Sequence, residues 1–207
     1  QTGACLNIQA GGKLAMADNR VLTINAGGTL QMVGNGQKAV VASTGAPADI
    51  TVVVNGTMKA SNYTFTNLGL NGVTINSGAT IDGVDHLQNG TFSHPENDNT
   101  RMLRLFRAIP GNRLEQISFS MNGSGANAAT MKNISTQHAT SAPLLIDSYS
   151  GDLADALHEE ENTQPIDWSG QLNDYKITAE AVAPANSNQG ATITAGRFGF
   201  KQNVGAG

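Results

Sequence analysis

Apolar and polar residues alternate in short runs along the first part of the chain, and each run stops at glycine. Leu6-Asn7-Ile8 leads into Gly11-Gly12, and Leu14-Ala15-Met16 follows. The order returns sixteen residues later, where Leu22, Ile24, Gly27, Gly28, Leu30 and Met32 hold the matching positions. Val53-Val54-Asn55-Gly56-Thr57-Met58 is a third copy with a shorter corner, and Ile75-Asn76-Ser77-Gly78-Ala79-Thr80-Ile81 is a fourth. Alternation with period two sends successive side chains to opposite faces of a strand. Runs this short, closed by Gly, Asn-Gly or Ser-Gly, predict brief strands rather than helices.

Alternation with Asn-Gly turns would also suit antiparallel hairpins. Similarity between successive copies favours a parallel β-solenoid, in which each coil sets its residues directly above those of the coil before. Like side chains then stack about 4.8 Å apart. Paired glycines suit a corner where the backbone takes positive φ or passes close to its neighbour. Leu, Ile, Val and Met would face the core, and Asn25, Asn55 and Asn76 would stack as an amide ladder. Uneven intervals between copies, and a Pro-containing stretch over 34–49, fit an all-β, right-handed parallel β-helix of the pectate-lyase type with loop excursions. An antiparallel sandwich or meander is the alternative.

Beyond residue 93 the rhythm loosens. Residues 94–100 are polar and turn-prone, and 101–109 are apolar with cationic punctuation, which suits either a strand pair or a short helix. Alternation resumes at Ile117-Ser118-Phe119-Ser120-Met121, with further strands expected over 129–134, 143–146, 166–168, 175–178, 191–194 and 197–200. Residues 153–161 are the best helix candidate, with Asp152 as N-cap and Leu153, Ala156 and Leu157 on one face. The resulting expectation is one β-helix domain over 1–207, regular over 1–93 and carrying inserted loops over 94–207, chiefly near 94–116 and 150–165. Roughly eight to ten coils would fit that length at one strand spacing per coil.

Composition changes this picture only at its margins. Charged residues make up 14% of the chain against a typical quarter, and glycine occurs 24 times. Low charge with many β-branched residues excludes a disordered chain, and 207 residues suffice to bury a core. A net charge of −4 without a dense Lys/Arg cluster argues against a nucleic-acid partner. Arg101, Arg104 and Arg107, interleaved with Met102, Leu103, Leu105 and Phe106, read as a solvated edge beside core residues. Cys5 is alone, which rules out an internal disulfide. No apolar run approaches the roughly 20 residues of a membrane-spanning helix. No signal peptide is visible, so a secreted chain would have lost it, or would be a segment of a longer protein.

Coils of the kind Leu22-Thr23-Ile24-Asn25-Ala26-Gly27-Gly28-Thr29-Leu30 resemble the β-helical segments of large secreted bacterial surface proteins of the filamentous-haemagglutinin and autotransporter type. Ser150-Gly151-Asp152-Leu153 with Pro165-Ile166-Asp167-Trp168 is similar to a recurrent turn of such helices. The resemblance covers the first 93 residues well and the remainder loosely, and it lies in repeat style. It implies a structural or adhesive segment, secreted or at the cell surface. Its partners would be neighbouring domains of the same protein, further copies joined end to end as a filament, or surface glycans. Solenoid ends are open sheet edges, so each must be capped or joined to something.

Chemistry-bearing clusters are few, and no catalytic residue is assigned. Asp147, Asp152, Asp155 and Glu159, close to His158, Glu160 and Glu161, offer several oxygen ligands of the kind calcium takes, without the order of an EF-hand loop. The plainer reading is a solvated acidic loop. Glu96, Asp98 and their asparagine neighbours are a weaker calcium candidate. Asp82-Gly83-Val84-Asp85-His86 pairs two carboxylates with an imidazole, which suits cation binding or proton transfer, but also an ordinary Asp-Gly turn. Tyr149, Trp168 and Tyr175 could form an aromatic glycan platform, although Trp168 follows Ile166 in an alternating run and suits the core. The rival functions are therefore a pectate-lyase-like polysaccharide-degrading enzyme, which needs carboxylates and a basic residue converging in a groove, and a non-catalytic glycan-binding module. Thr64-Phe65-Thr66 and Thr192-Ile193-Thr194 are too isolated for the regular threonine ladder of an ice-binding solenoid.

Overall fold

The alternating runs form strands, and three strands make each coil. The computed structural model describes residues 3–45, 48–161 and 163–168, and short strands at 178–179, 191–195 and 198–202. In the first coil β1 (Cys5–Gln9), β2 (Lys13–Met16) and β3 (Arg20–Ile24) form three successive faces. β4 (Thr29–Val33), β5 (Ala39–Ser43) and β6 (Ile50–Val54) stack on them in parallel, face upon face. β7 (Thr57–Ile75) runs through an entire coil, touching β4, β5 and β6 in turn. The coils continue through β8 (Thr80–Pro95) and β9 (Arg101–Leu105), then β10 (Arg113–Ser120) and β11 (Lys132–Thr136). β12 (Leu144–Ser150) and β13 (Glu160–Glu161) make a shorter coil beneath β14 (Ile166–Asp167).

This is an all-β parallel solenoid, as the repeats predict, but it has about five full turns and an abbreviated last one rather than eight to ten. Cys5 pairs with Thr29, Thr29 with Thr57 and Thr57 with Thr80, so these coils take 24, 28 and 23 residues. The sixteen-residue echo is therefore not one coil upon the next. Gly11-Gly12 bends the chain between β1 and β2, whereas Gly27-Gly28 bends it between β3 and β4. The true successor of Gly28 is Gly56, with Thr57 N–H donating to Gly28 O at 2.8 Å and Thr80 N–H to Gly56 O at 2.8 Å.

In-register stacking builds the core from ladders of like residues. Leu6, Leu30, Met58 and Ile81 stack on the first face, and Leu22, Val52, Val73, Leu103 and Ile134 on the third. The second face carries Leu14, Val41, Phe65, Phe92 and Phe119. The last three rings stack at 5.6 and 5.2 Å with interplanar angles of 26° and 18°. Tyr63 meets Phe65 and Phe92 edge-on and donates its hydroxyl to Leu87 O at 3.3 Å, which satisfies a polar group in a fully buried position. Asn76 Nδ2 donates to Asn55 Oδ1 at 2.6 Å, one rung of the expected ladder of Asn25, Asn55 and Asn76. A second amide pair, Asn89 to Asn62 at 3.0 Å, joins two left-handed residues with φ of 50° and 54°.

Two local expectations change. Residues 101–109 resolve as strand β9 with its following turn, because Leu103 and Leu105 fit the third-face ladder above Val73 and Ile75. Residues 153–161 form no helix; the described residues hold only two short 3-10 turns. Leu153 and Ala154 are buried, Asp155 Oδ1 accepts the N–H groups of Leu157 and His158 in a tight turn, and Glu160 joins the ladder beside Ser135.

Contacts divide the chain into two compact units, Gln1–Gly170 and Gln171–Gly207. In the second unit β15 (Thr178–Ala179), β16 (Ala191–Ala195) and β17 (Phe198–Gln202) pair antiparallel. No helix among the described residues is long and apolar enough to cross a membrane.

Candidate functional site: the open first coil and the polar clusters

Among the described residues the first coil, like the abbreviated coil at the other end, has a neighbouring coil on one side only. Among the described residues β1 pairs with β4 alone, β2 with β5 and β3 with β6, so one edge of each strand presents its backbone groups without a strand partner. Its inward side chains follow the same exposure. Leu30, Val41 and Val52 of the second coil are fully buried, whereas Leu6, Leu14 and Leu22 beneath them are only half-buried, as is Met16 beneath Ser43; Ile8 and Ile24 of the first coil are buried. Val21, at the start of β3, is 60% exposed.

The four carboxylates read as a calcium candidate face separate partners. Asp147 pairs with Arg113, which also reaches Glu115 at 3.1 Å. Asp152 Oδ1 accepts Met121 N–H at 2.8 Å, tying the last coil to the one before. Asp155 holds its own turn and lies 2.7 Å from His158 Nδ1. Glu159 Oε2 accepts the indole N–H of Trp168 at 2.5 Å. No group of three or more His, Cys, Asp or Glu among the described residues is placed to hold a metal ion.

Of the aromatic trio, Tyr149 and Trp168 meet edge-on at 5.0 Å, and Tyr175 lies outside the described residues. Trp168 is buried and Tyr149 is half-buried against the core.

Asp82 fixes an exposed turn. Its Oδ1 accepts the N–H groups of Asp85 and Val84, both at 3.0 Å, and its Oδ2 lies 3.2 Å from Lys59 Nζ. Those backbone donors, with Lys59, hold its carboxyl at about 2. His86 is met by the side-chain amide of Gln88. The carboxylate that looked chemical in the sequence thus has a turn-forming job on the first face.

Arg101 and Arg104 share strand β9 and reach in opposite directions along the solenoid. Arg101 spans the fifth coil to grip Glu160 with two hydrogen bonds of 2.6 and 2.9 Å, and this bidentate grip holds the Glu160 carboxyl at about 2. Arg104 lies over Phe106 at 5.2 Å and donates to Asn71 at 3.0 Å. The Glu160 carboxyl is depressed below its ordinary value near 4.5, so its contribution is complete above that value and is lost as pH falls towards 2. With Glu160 about a quarter exposed, screening leaves about 1–2 kcal/mol. Glu160→Gln is accordingly expected to lose that amount at pH 7 and to match the parent chain near pH 2, as read by denaturant unfolding at both pH values.

The sequence carried one unread signal here, the even spacing of Phe65, Phe92 and Phe119. No protein-family model, curated protein or solved structure matches this chain.

Proposed function

We propose that this chain is a structural or adhesive β-solenoid segment of a secreted or cell-surface protein, and that its first coil is a joining surface. The observation that carries this reading is the edge of β1, β2 and β3, where strand edges lie open and the inward leucines are only half-buried among the described residues. Folded proteins usually blunt such edges with proline, bulges or inward-pointing charge. These strands contain no proline and no inward-pointing charge, and the only charged side chains on them are the exposed Lys13 and Arg20. Joining would complete the backbone ladder and cover the half-buried apolar residues in one step. Low charge and abundant Asn, Thr and Gly support a placement outside the cell.

Sedimentation velocity of the purified chain over a wide concentration range tests the reading. Growth of an associated species with concentration is the expected result, with β1–β3 amides slowing their hydrogen exchange as it forms. A chain that stays monomeric at the highest concentration, with those amides already protected, overturns it.

A further inference from the structure

The arginines expected at a solvated edge are not all solvated. Arg104 stands on the third face between Thr74 of one neighbouring coil and Ser135 of the other, pointing away from the Leu103 and Leu105 ladder. Arg107 lies in the corner that follows, two residues past Leu105. His138 holds the same place one coil on, two residues past Thr136, with which Leu105 pairs. Gln137 N–H donates to Leu105 O at 2.7 Å, so the ladder runs on into this corner and sets the two residues about one strand spacing apart. Arg104, Arg107 and His138 each keep part of their surface exposed. Yet Nε of Arg104, Nε of Arg107 and both ring nitrogens of His138 are sealed from solvent, with no hydrogen-bond partner among the described residues. Buried donors without an acceptor are rare in folded proteins, and a cluster of them calls for an explanation.

Charge is unbalanced at the same place. Arg101 occupies Glu160 with two hydrogen bonds, and no carboxylate among the described residues lies within ion-pair distance of Arg104 or Arg107. Lys132 adds a positive charge beside Arg101, its Nζ 3.4 Å from the backbone oxygen of Glu159. A chain of net charge −4 thus carries a local excess of positive charge on its third face. The Phe106 ring and Asn71 Oδ1, which accepts from Nη1 at 3.0 Å, hold the Arg104 guanidinium in place and use one of its nitrogens. Burial, and after it the charge of Arg101, keeps that guanidinium below its ordinary value, and a neighbouring negative charge would act in the opposite sense.

We propose that Arg104, Arg107 and His138 form a binding site for an oxyanion, the carboxylate or sulfate group of an acidic polysaccharide. The proposal rests on the reading of this chain as an adhesive segment outside the cell, and adds the class of ligand and the residues that take it. A guanidinium edge offers parallel N–H donors that match two oxygens of one anionic group. Turning the two partly exposed arginines outward breaks no hydrogen bond at Nε, because none is made there, and gives each Nε–H the acceptor it lacks. Lys59 and Arg113 of the first face already hold Asp82 and Asp147, so the excess charge does not continue onto that face. A confined cationic corner suits single charged sugars, whereas a nucleic-acid backbone requires a longer basic track.

Titration calorimetry of the full chain tests this with a sulfated heparin oligosaccharide, an oligogalacturonate, a neutral malto-oligosaccharide and free sulfate, all at one salt concentration. Binding of a charged oligosaccharide and not of the neutral one is the expected result, and the stronger of the two charged probes identifies the anionic group. Arg104→Gln and Arg107→Gln should each weaken that binding at least roughly tenfold. Arg104→Lys keeps the charge but loses the fork of donors, and should not restore it. Arg113→Gln, on the first face, should leave the affinity unchanged. Thermal melts of each variant establish that the fold is kept. Equal weakening by Arg113→Gln, or full affinity in Arg104→Lys, overturns the site in favour of diffuse attraction. Absence of binding by both charged oligosaccharides overturns the glycan as ligand, whether or not free sulfate binds. Neither result touches the joining surface, which sedimentation reads independently.

Discussion

Phe92→Ala is expected to lower the unfolding free energy of the solenoid by about 3–5 kcal/mol, the range for removing a buried aromatic ring from a core. Phe92 is fully buried between Phe65 and Phe119, and Tyr63 meets it edge-on. The substitution therefore deletes two stacked contacts and one edge contact, each worth about 0.5–1.5 kcal/mol beyond the area they bury. The hole would lie in the middle of the ladder. Coil spacing is set by backbone hydrogen bonds between β7, β8 and β10, so neighbouring coils have little freedom to close on it. Phe92→Leu, which fills most of the space, should cost about 1–2 kcal/mol. Equilibrium denaturation of the two variants reads the difference directly. A loss below about 1 kcal/mol for the alanine variant would mean that the rings do not pack as a continuous column.

That column also shows where the sequence was readable and where it was not. Short alternating runs closed by glycine disclosed parallel strands because coil stacking forces like residues to recur. The recurrence was assigned to the wrong interval because one coil contains three corners, and two of them in the first coil, Gly11-Gly12 and Gly27-Gly28, look alike. Register is a property of pairs of strands, so Leu6 above Leu22 and Leu6 beneath Leu30 are equally good patterns until backbone pairing decides for Leu30. The same ambiguity hid the aromatic ladder, since Tyr63-Thr64-Phe65 and Ile117-Ser118-Phe119 look unrelated unless the spacing to Phe92 is known. Asn55 and Asn76 were legible because a glycine follows each within two residues, whereas Asn62, followed by Tyr63-Thr64, has no glycine to mark the corner where it pairs with Asn89. Helical spacing at Leu153, Ala156 and Leu157 was real but too short to nucleate a helix against a turn closed by Asp155. The candidate site was written in the first 25 residues throughout. It became visible only once three strands were known to make a coil.

Gly56→Ala should be nearly as damaging as the loss of a core side chain, although it adds a single methyl group. Gly56 stands at the corner between β6 and β7, directly above the backbone of the preceding coil. A β-carbon there would fall well inside contact distance of Gly28 O and Asn25 O, both main-chain atoms with no rotamer to change. Relief requires the third coil to lift away from the second. That movement opposes the hydrogen bonds from Asn55 and Gly56 N–H to Ile24 O, at 2.7 and 3.1 Å, and from Thr57 N–H to Gly28 O at 2.8 Å. Overpacking against so stiff a neighbour is expected to cost about 2–3 kcal/mol. Gly78 provides the control one coil later, because an added β-carbon meets nothing within 4 Å and its φ is not left-handed. Gly78→Ala should therefore change stability by less than about 0.5 kcal/mol, or raise it slightly by restricting the unfolded chain. Denaturant midpoints of the two variants separate the explanations for glycine at these corners. A large effect at Gly56 alone means that coil-to-coil approach selects it, whereas equal effects would return the choice to turn conformation.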